Sequence, residues 1–138
     1  MYKKEEFIVP NIYQAKRSAI LHLIAKTFLN LTGWKIVGKL PNVKRIVVVC
    51  APHTSNWDFI FGMIIVLGID IKVKFLAKES IFVPVFKILL NKLGGIPVNR
   101  NNPELLVQKI ADYSKNNEGV LIAVTPEGTR KKVTKWKT

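Results

Sequence analysis

Residues 45–58 read RIVVVCAPHTSNWD: β-branched apolar side chains, a cysteine, a proline turn, then a histidine and an aspartate with four residues between them. A short apolar run without polar alternation is the pattern of a strand buried on both faces, the usual state of a strand in a parallel sheet. Pro52 discourages helical backbone at Ala51, and Ser55 or Asn56 can cap a helix beginning near Trp57. The stretch predicts a strand over Arg45–Cys50, a polar turn carrying His53, and a helix with Asp58 in its first turn. Cys50, beside three valines, reads as a buried thiol.

The same signals recur along the chain. Lys72–Ala77 (KVKFLA) and Val120–Thr125 (VLIAVT) read as strands, and Gly95–Val98 (GIPV) as a weaker one. Helical patterns lie between them over 57–68, 85–93 and 103–114. The helix at 85–93 enters after Pro84 and closes at Gly94-Gly95. The one at 103–114 has Asn102 as a cap, Pro103 in the first position and Glu104 near the positive end. Alternating strands and helices imply an α/β fold with a largely parallel, mixed sheet flanked by helices. Residues 1–33 read as a separate amphipathic segment: Ser18–Trp34 places Ile20, Leu21, Leu23, Ile24, Phe28, Leu29 and Leu31 largely on one side. That side suits core packing slightly better than a lipid surface, with Lys16, Arg17 and Lys26 nearby.

Composition bounds function. With 138 residues and 49% hydrophobic content the chain can build a core, which argues against disorder. Twenty-two Lys and Arg against nine Asp and Glu give +13, pointing to an anionic partner: nucleic acid, an anionic membrane surface or a phosphorylated substrate. A single cysteine excludes an intramolecular disulfide and fits a reducing compartment. Met1–Glu6 (MYKKEE) lacks the pattern of a secretory signal. The longest charge-free apolar stretch, Phe59–Ile69, is well short of the ~20 residues that a membrane span needs.

In an open α/β sheet, ligands gather at the carboxyl ends of the strands. Three polar loops fall at such ends: APHTSNWD, NRNN after Val98, and PEGTRKK after Thr125. On one continuous helix His53 and Asp58 would stand about 140° apart, so they meet only across a turn. There the carboxylate can hold one imidazole nitrogen and raise the basicity of the other, the arrangement for deprotonating a hydroxyl. The bland alternative is a chance pair of polar turn residues. His22, on the amphipathic segment, reads as structural. A metal site at Cys50, His53 and Asp58 lacks a further ligand, and Ser55 has no base of its own.

HTSNWD at 53–58, GGIPVNR at 94–100 and PEGTR at 126–130 together resemble the sequence blocks of the glycerolipid acyltransferases, the lysophosphatidic acid and glycerol-3-phosphate acyltransferases and their relatives. The resemblance spans about residues 34–138. It implies that His53 is the general base, that Asp58 orients it, and that Arg100 holds the phosphate of the acceptor. It further implies that Glu127, Gly128, Thr129 and Arg130 bind the acceptor and organise the site. The implied reaction moves an acyl group from acyl-CoA or acyl-carrier protein to a phosphorylated lysolipid in phospholipid biosynthesis, with no cofactor and no metal. The implied location is the cytoplasmic face of a membrane, peripheral or monotopic.

The residue chemistry fits on its own terms. Two arginines, Arg100 and Arg130, suit forked contacts with phosphate oxygens, the plainer reading of Arg100 being a solvated surface charge; Glu127 can instead pair with a nearby basic residue, and Gly128 allows either a close backbone approach to a ligand or a sharp turn. Pro52 stands where many relatives carry asparagine, and Thr125 where many carry an aromatic. The fourth block of the family, a further strand with proline, does not occur before Thr138, so the sequence reads as C-terminally truncated, with an incomplete sheet. The competing reading is a non-catalytic, basic membrane-surface or nucleic-acid-binding module. The scatter of Lys and Arg along the chain disfavours nucleic acid.

Overall fold

The apolar runs become strands β1 (Arg45–Val49), β2 (Lys74–Lys78), β3 (Gly95–Val98) and β4 (Val120–Val124). Helices α1 (Ala19–Leu31), α2 (Asn56–Gly68), α3 (Pro84–Leu93) and α4 (Pro103–Lys115) alternate with them. These come from a computed structural model that describes residues 7–99, 101–129, 131 and 134–136. The sheet order is β1-β4-β2-β3, and all three neighbouring pairs are parallel. The α/β expectation holds. The chain divides into two units: residues up to 42 with 56–72, and residues 43–55 with 73 onward.

In the sheet unit the strand buried on both faces is β4. It lies between β1 and β2, and Val120, Leu121 and Ile122 are only 3–6% exposed. β1, by contrast, is an edge strand. Val47 and Val49 stand exposed, alternating with half-buried Ile46 and Val48, because its second face is open. This corrects the reading of 45–50 as buried on both sides. Cys50 shares the correction: it is exposed, not buried. β3 forms the opposite edge, where Pro97, in register with Ala77, is tolerated because a strand at the margin has one side free of ladder bonds.

Local chemistry sets the helix ends. Asn102 accepts a bond from Leu105 N–H at 3.2 Å, and Pro103 opens α4, as the sequence predicts. At its other end, Arg45 Nε donates to Ser114 Oγ at 2.6 Å and Nη2 to the Ser114 carbonyl at 3.0 Å, fastening β1 to α4. Lys74 sits 5.0 Å from the Tyr113 ring centroid, a cation–π contact worth about 0.5–1 kcal/mol. Burial also pushes the Tyr113 hydroxyl above its ordinary range.

Helix α3 stops at Gly94, whose φ of 101° is left-handed. A Cβ there would also run into the Val73 carbonyl oxygen, so backbone conformation and space both demand glycine. We predict that Gly94→Ala lowers unfolding free energy by about 2–4 kcal/mol, combining backbone strain with overpacking. A chemical denaturation curve with an unchanged midpoint would contradict this.

In the helical unit, Tyr13 is fully buried and its carbonyl accepts from Lys72 N–H at 2.6 Å. Arg17 reinforces that fastening, pairing with Asp70 at 3.5 Å and donating to the Ile71 carbonyl at 2.9 Å. Helix α1 packs on α2 through buried Ala25 and Leu29, and Trp34 stacks on Phe61 with centroids 5.3 Å apart. Burial of Leu29 is worth about 2 kcal/mol. His22 is structural, as expected: Nδ1 lies 3.2 Å from the Leu67 carbonyl and therefore carries the proton. The buried seam of α1 is narrow, however. Ile20, Leu23, Ile24 and Leu31 stay 62–84% exposed, so most of the side expected to pack into a core does not.

Candidate active site

Parallel register brings the carboxyl ends of β1 and β4 side by side. Val49 pairs with Val124, and the ladder continues one step further through Cys50 N–H to the Val124 carbonyl at 2.8 Å. Beyond that rung the two chains leave the sheet as the loops carrying His53 and Glu127. The Ala51-Pro52 peptide is cis. The His53 backbone N–H donates to Glu127 Oε2 at 2.7 Å. A contact between residues 74 positions apart thus ties the first sequence block to the third.

That bond has chemical content. The Glu127 side chain, accepting a short bond from a half-buried amide, holds the His53 backbone in place, and bonds of an amide to a carboxylate are worth about 1.5–3 kcal/mol. Glu127 itself is set by a turn: Gly128 N–H donates to the Thr125 carbonyl at 3.1 Å, and Gly128 has a φ of 59°. Thr129 then uses its hydroxyl locally, accepting from Lys131 N–H at 3.3 Å. The turn expected at Gly128 is present.

The structure places the remaining predicted site residues as follows. Asp58 occupies the first turn of α2 and belongs to the helical unit, whereas His53 belongs to the sheet unit. Arg100 and Arg130 lie outside the described residues. At the end of the second block, Asn99 Oδ1 accepts from Asn101 N–H at 2.9 Å. Cys50 offers no ready nucleophile: although the residue is exposed, partial desolvation pushes its thiol up, which favours the neutral form.

Among the described residues of the sheet unit, two clefts bear on where the site lies. The larger, about 290 Å³, is lined by Lys44, Arg45 and Glu118 among others and lies at the amino ends of β1 and β4. It contains none of the three sequence blocks and sits at the wrong end of a parallel sheet for ligand chemistry. The smaller, about 90 Å³, lies where β2 and β3 end, between Glu79, Pro97, Asn99 and the Leu105–Lys109 side of α4. Its position at the carboxyl edge gives it the better claim. Sequence reasoning did not single out Glu79, which lines this cleft, and also missed the backbone tie made by Glu127. Neither is signalled locally, because both depend on which strands become neighbours.

A family model described as Acyltransferase matches residues 34–138. Searches of curated proteins and of solved structures returned no match. Among the described residues no helix is long and apolar enough to cross a membrane.

Proposed function

Because the chain belongs to the acyltransferase family, we propose that it transfers a fatty acyl group from acyl-CoA or acyl-carrier protein to a hydroxyl of a phosphorylated glycerolipid, such as lysophosphatidic acid. The observation that carries this reading is the 2.7 Å bond from the His53 backbone to Glu127, which joins two of the three blocks at adjacent strand ends. His53 takes the proton of the acceptor hydroxyl as the oxygen attacks the thioester carbonyl. The C–S bond then breaks, and the thiol leaves with the proton that His53 returns. No covalent enzyme intermediate is needed.

Asp58 orients the imidazole in this scheme. Arg100 and Arg130 hold the acceptor phosphate, and Glu127, Gly128 and Thr129 organise the third loop. The activity falls among acyl transfers other than aminoacyl transfer and serves phospholipid biosynthesis. The exposed apolar face of α1 supports peripheral attachment to an anionic membrane, where such acceptors reside.

Incubation with labelled acyl-CoA and acyl-carrier protein, against acceptors with and without a phosphate, tests the reading. Ester product confined to phosphorylated acceptors is expected. Equal acylation of acceptors lacking phosphate, or no transfer from either thioester, would sink it.

A further inference from the structure

Helix α3 carries an apolar stripe that its own unit leaves uncovered. Val85, Ile88 and Leu89 are 81%, 65% and 53% exposed, whereas Leu90 is buried. With Lys92 they occupy positions i, i+3, i+4 and i+7, so the four share one side of the helix. Phe86 flanks the stripe, and the approach to the helix adds exposed Ile81 and Val83. Soluble monomers rarely leave so continuous an apolar surface without a use.

We propose that this face of α3 docks into the outer layer of an anionic lipid bilayer, as an insertion element additional to α1. Charge selects the occupant. Helix α3 itself carries Lys87 and Lys92 and no acid, and on its approach exposed Lys78 stands against one acid, Glu79. Lys92 stands within the stripe, where its long stem can lie along apolar surface while the ammonium reaches lipid phosphates. Two copies packed through this face would instead oppose like charges on a chain of net charge +13.

Connectivity places the element usefully. α3 follows the carboxyl end of β2, so its first turn starts from the edge of the sheet where β1 and β4 end in the His53 and Glu127 loops. Insertion of α3 would hold that edge close to the lipid surface. This inference deepens the membrane part of the proposed function and rests on it.

Flotation with vesicles of anionic and of zwitterionic lipid provides the test. The full chain is compared with the triple variant Val85→Ser, Ile88→Ser, Leu89→Ser and with Ile20→Ser, Leu23→Ser, Ile24→Ser in α1. The α3 variant is expected to lose about tenfold or more in affinity for anionic vesicles, while retaining turnover on a short-chain, water-soluble thioester and acceptor. An environment-sensitive fluorophore at Val85→Cys, in a Cys50→Ser background, should shift to the blue with anionic vesicles only. This second readout does not depend on how the triple variant folds.

Wild-type affinity in the α3 variant, or an unshifted fluorophore on bound protein, would overturn the inference while leaving attachment through α1 intact. So would sedimentation showing that the variant dissolves a dimer without changing vesicle binding. A wild-type chain that ignores anionic vesicles would overturn both this inference and the membrane reading beneath it.

Discussion

His53→Ala should lower the rate of acyl transfer by about 10²–10⁴-fold, the range that loss of a positioned general base produces. The substitution isolates chemistry from structure because of how the residue is held. The bond to Glu127 comes from the His53 backbone N–H, which alanine retains. The residue is only half-buried and not part of the buried core, so truncating it opens no core cavity. Unfolding free energy should therefore change by no more than about 1 kcal/mol. Thioester-dependent release of free thiol, followed at saturating acceptor, measures the first quantity, and a denaturation curve measures the second. A variant keeping its rate to within tenfold would remove the imidazole from the mechanism. One that lost activity by unfolding would show it in the second curve.

The alternation of elements was legible because each signal is local. Asn102 and Pro103 mark the start of α4 by their own side-chain chemistry, and Gly94 ends α3 by its backbone freedom. Burial was less legible because it depends on sheet order. RIVVV and VLIAV look alike in sequence, yet the insertion of β4 between β1 and β2 makes one an edge strand and the other central. Exposure of Val47, Val49 and Cys50 follows from that placement, and no local pattern announces it.

The site shows the same division. The residue types in the three blocks, and the turn at Gly128, could be read from the sequence. The partner of the Glu127 carboxylate could not, since it depends on the register of β1 against β4. Helix α1 marks a third case. Its apolar positions were evident, but the narrow seam formed by Ala25 and Leu29 shows how few of them packing against α2 consumes.

Glu127 is the residue whose role the geometry sharpens most, and a pair of substitutions distinguishes the two roles open to it. If it positions His53, Glu127→Ala leaves the His53 amide without its carboxylate, a loss of about 1–3 kcal/mol for a half-buried donor. The expected fall is about 10–100-fold, carried by kcat, because the base is misplaced while the acceptor still binds. Glu127→Gln keeps an oxygen that can accept the same bond and should restore most of that loss. If Glu127 instead contacts the acceptor directly, as the family resemblance implies, KM for the acceptor rises in both variants and glutamine rescues little. Steady-state kinetics of the two variants at varied acceptor concentration separate these outcomes. A Glu127→Ala enzyme with kcat within twofold of wild type would show that the bond, although short, does not govern where the imidazole stands.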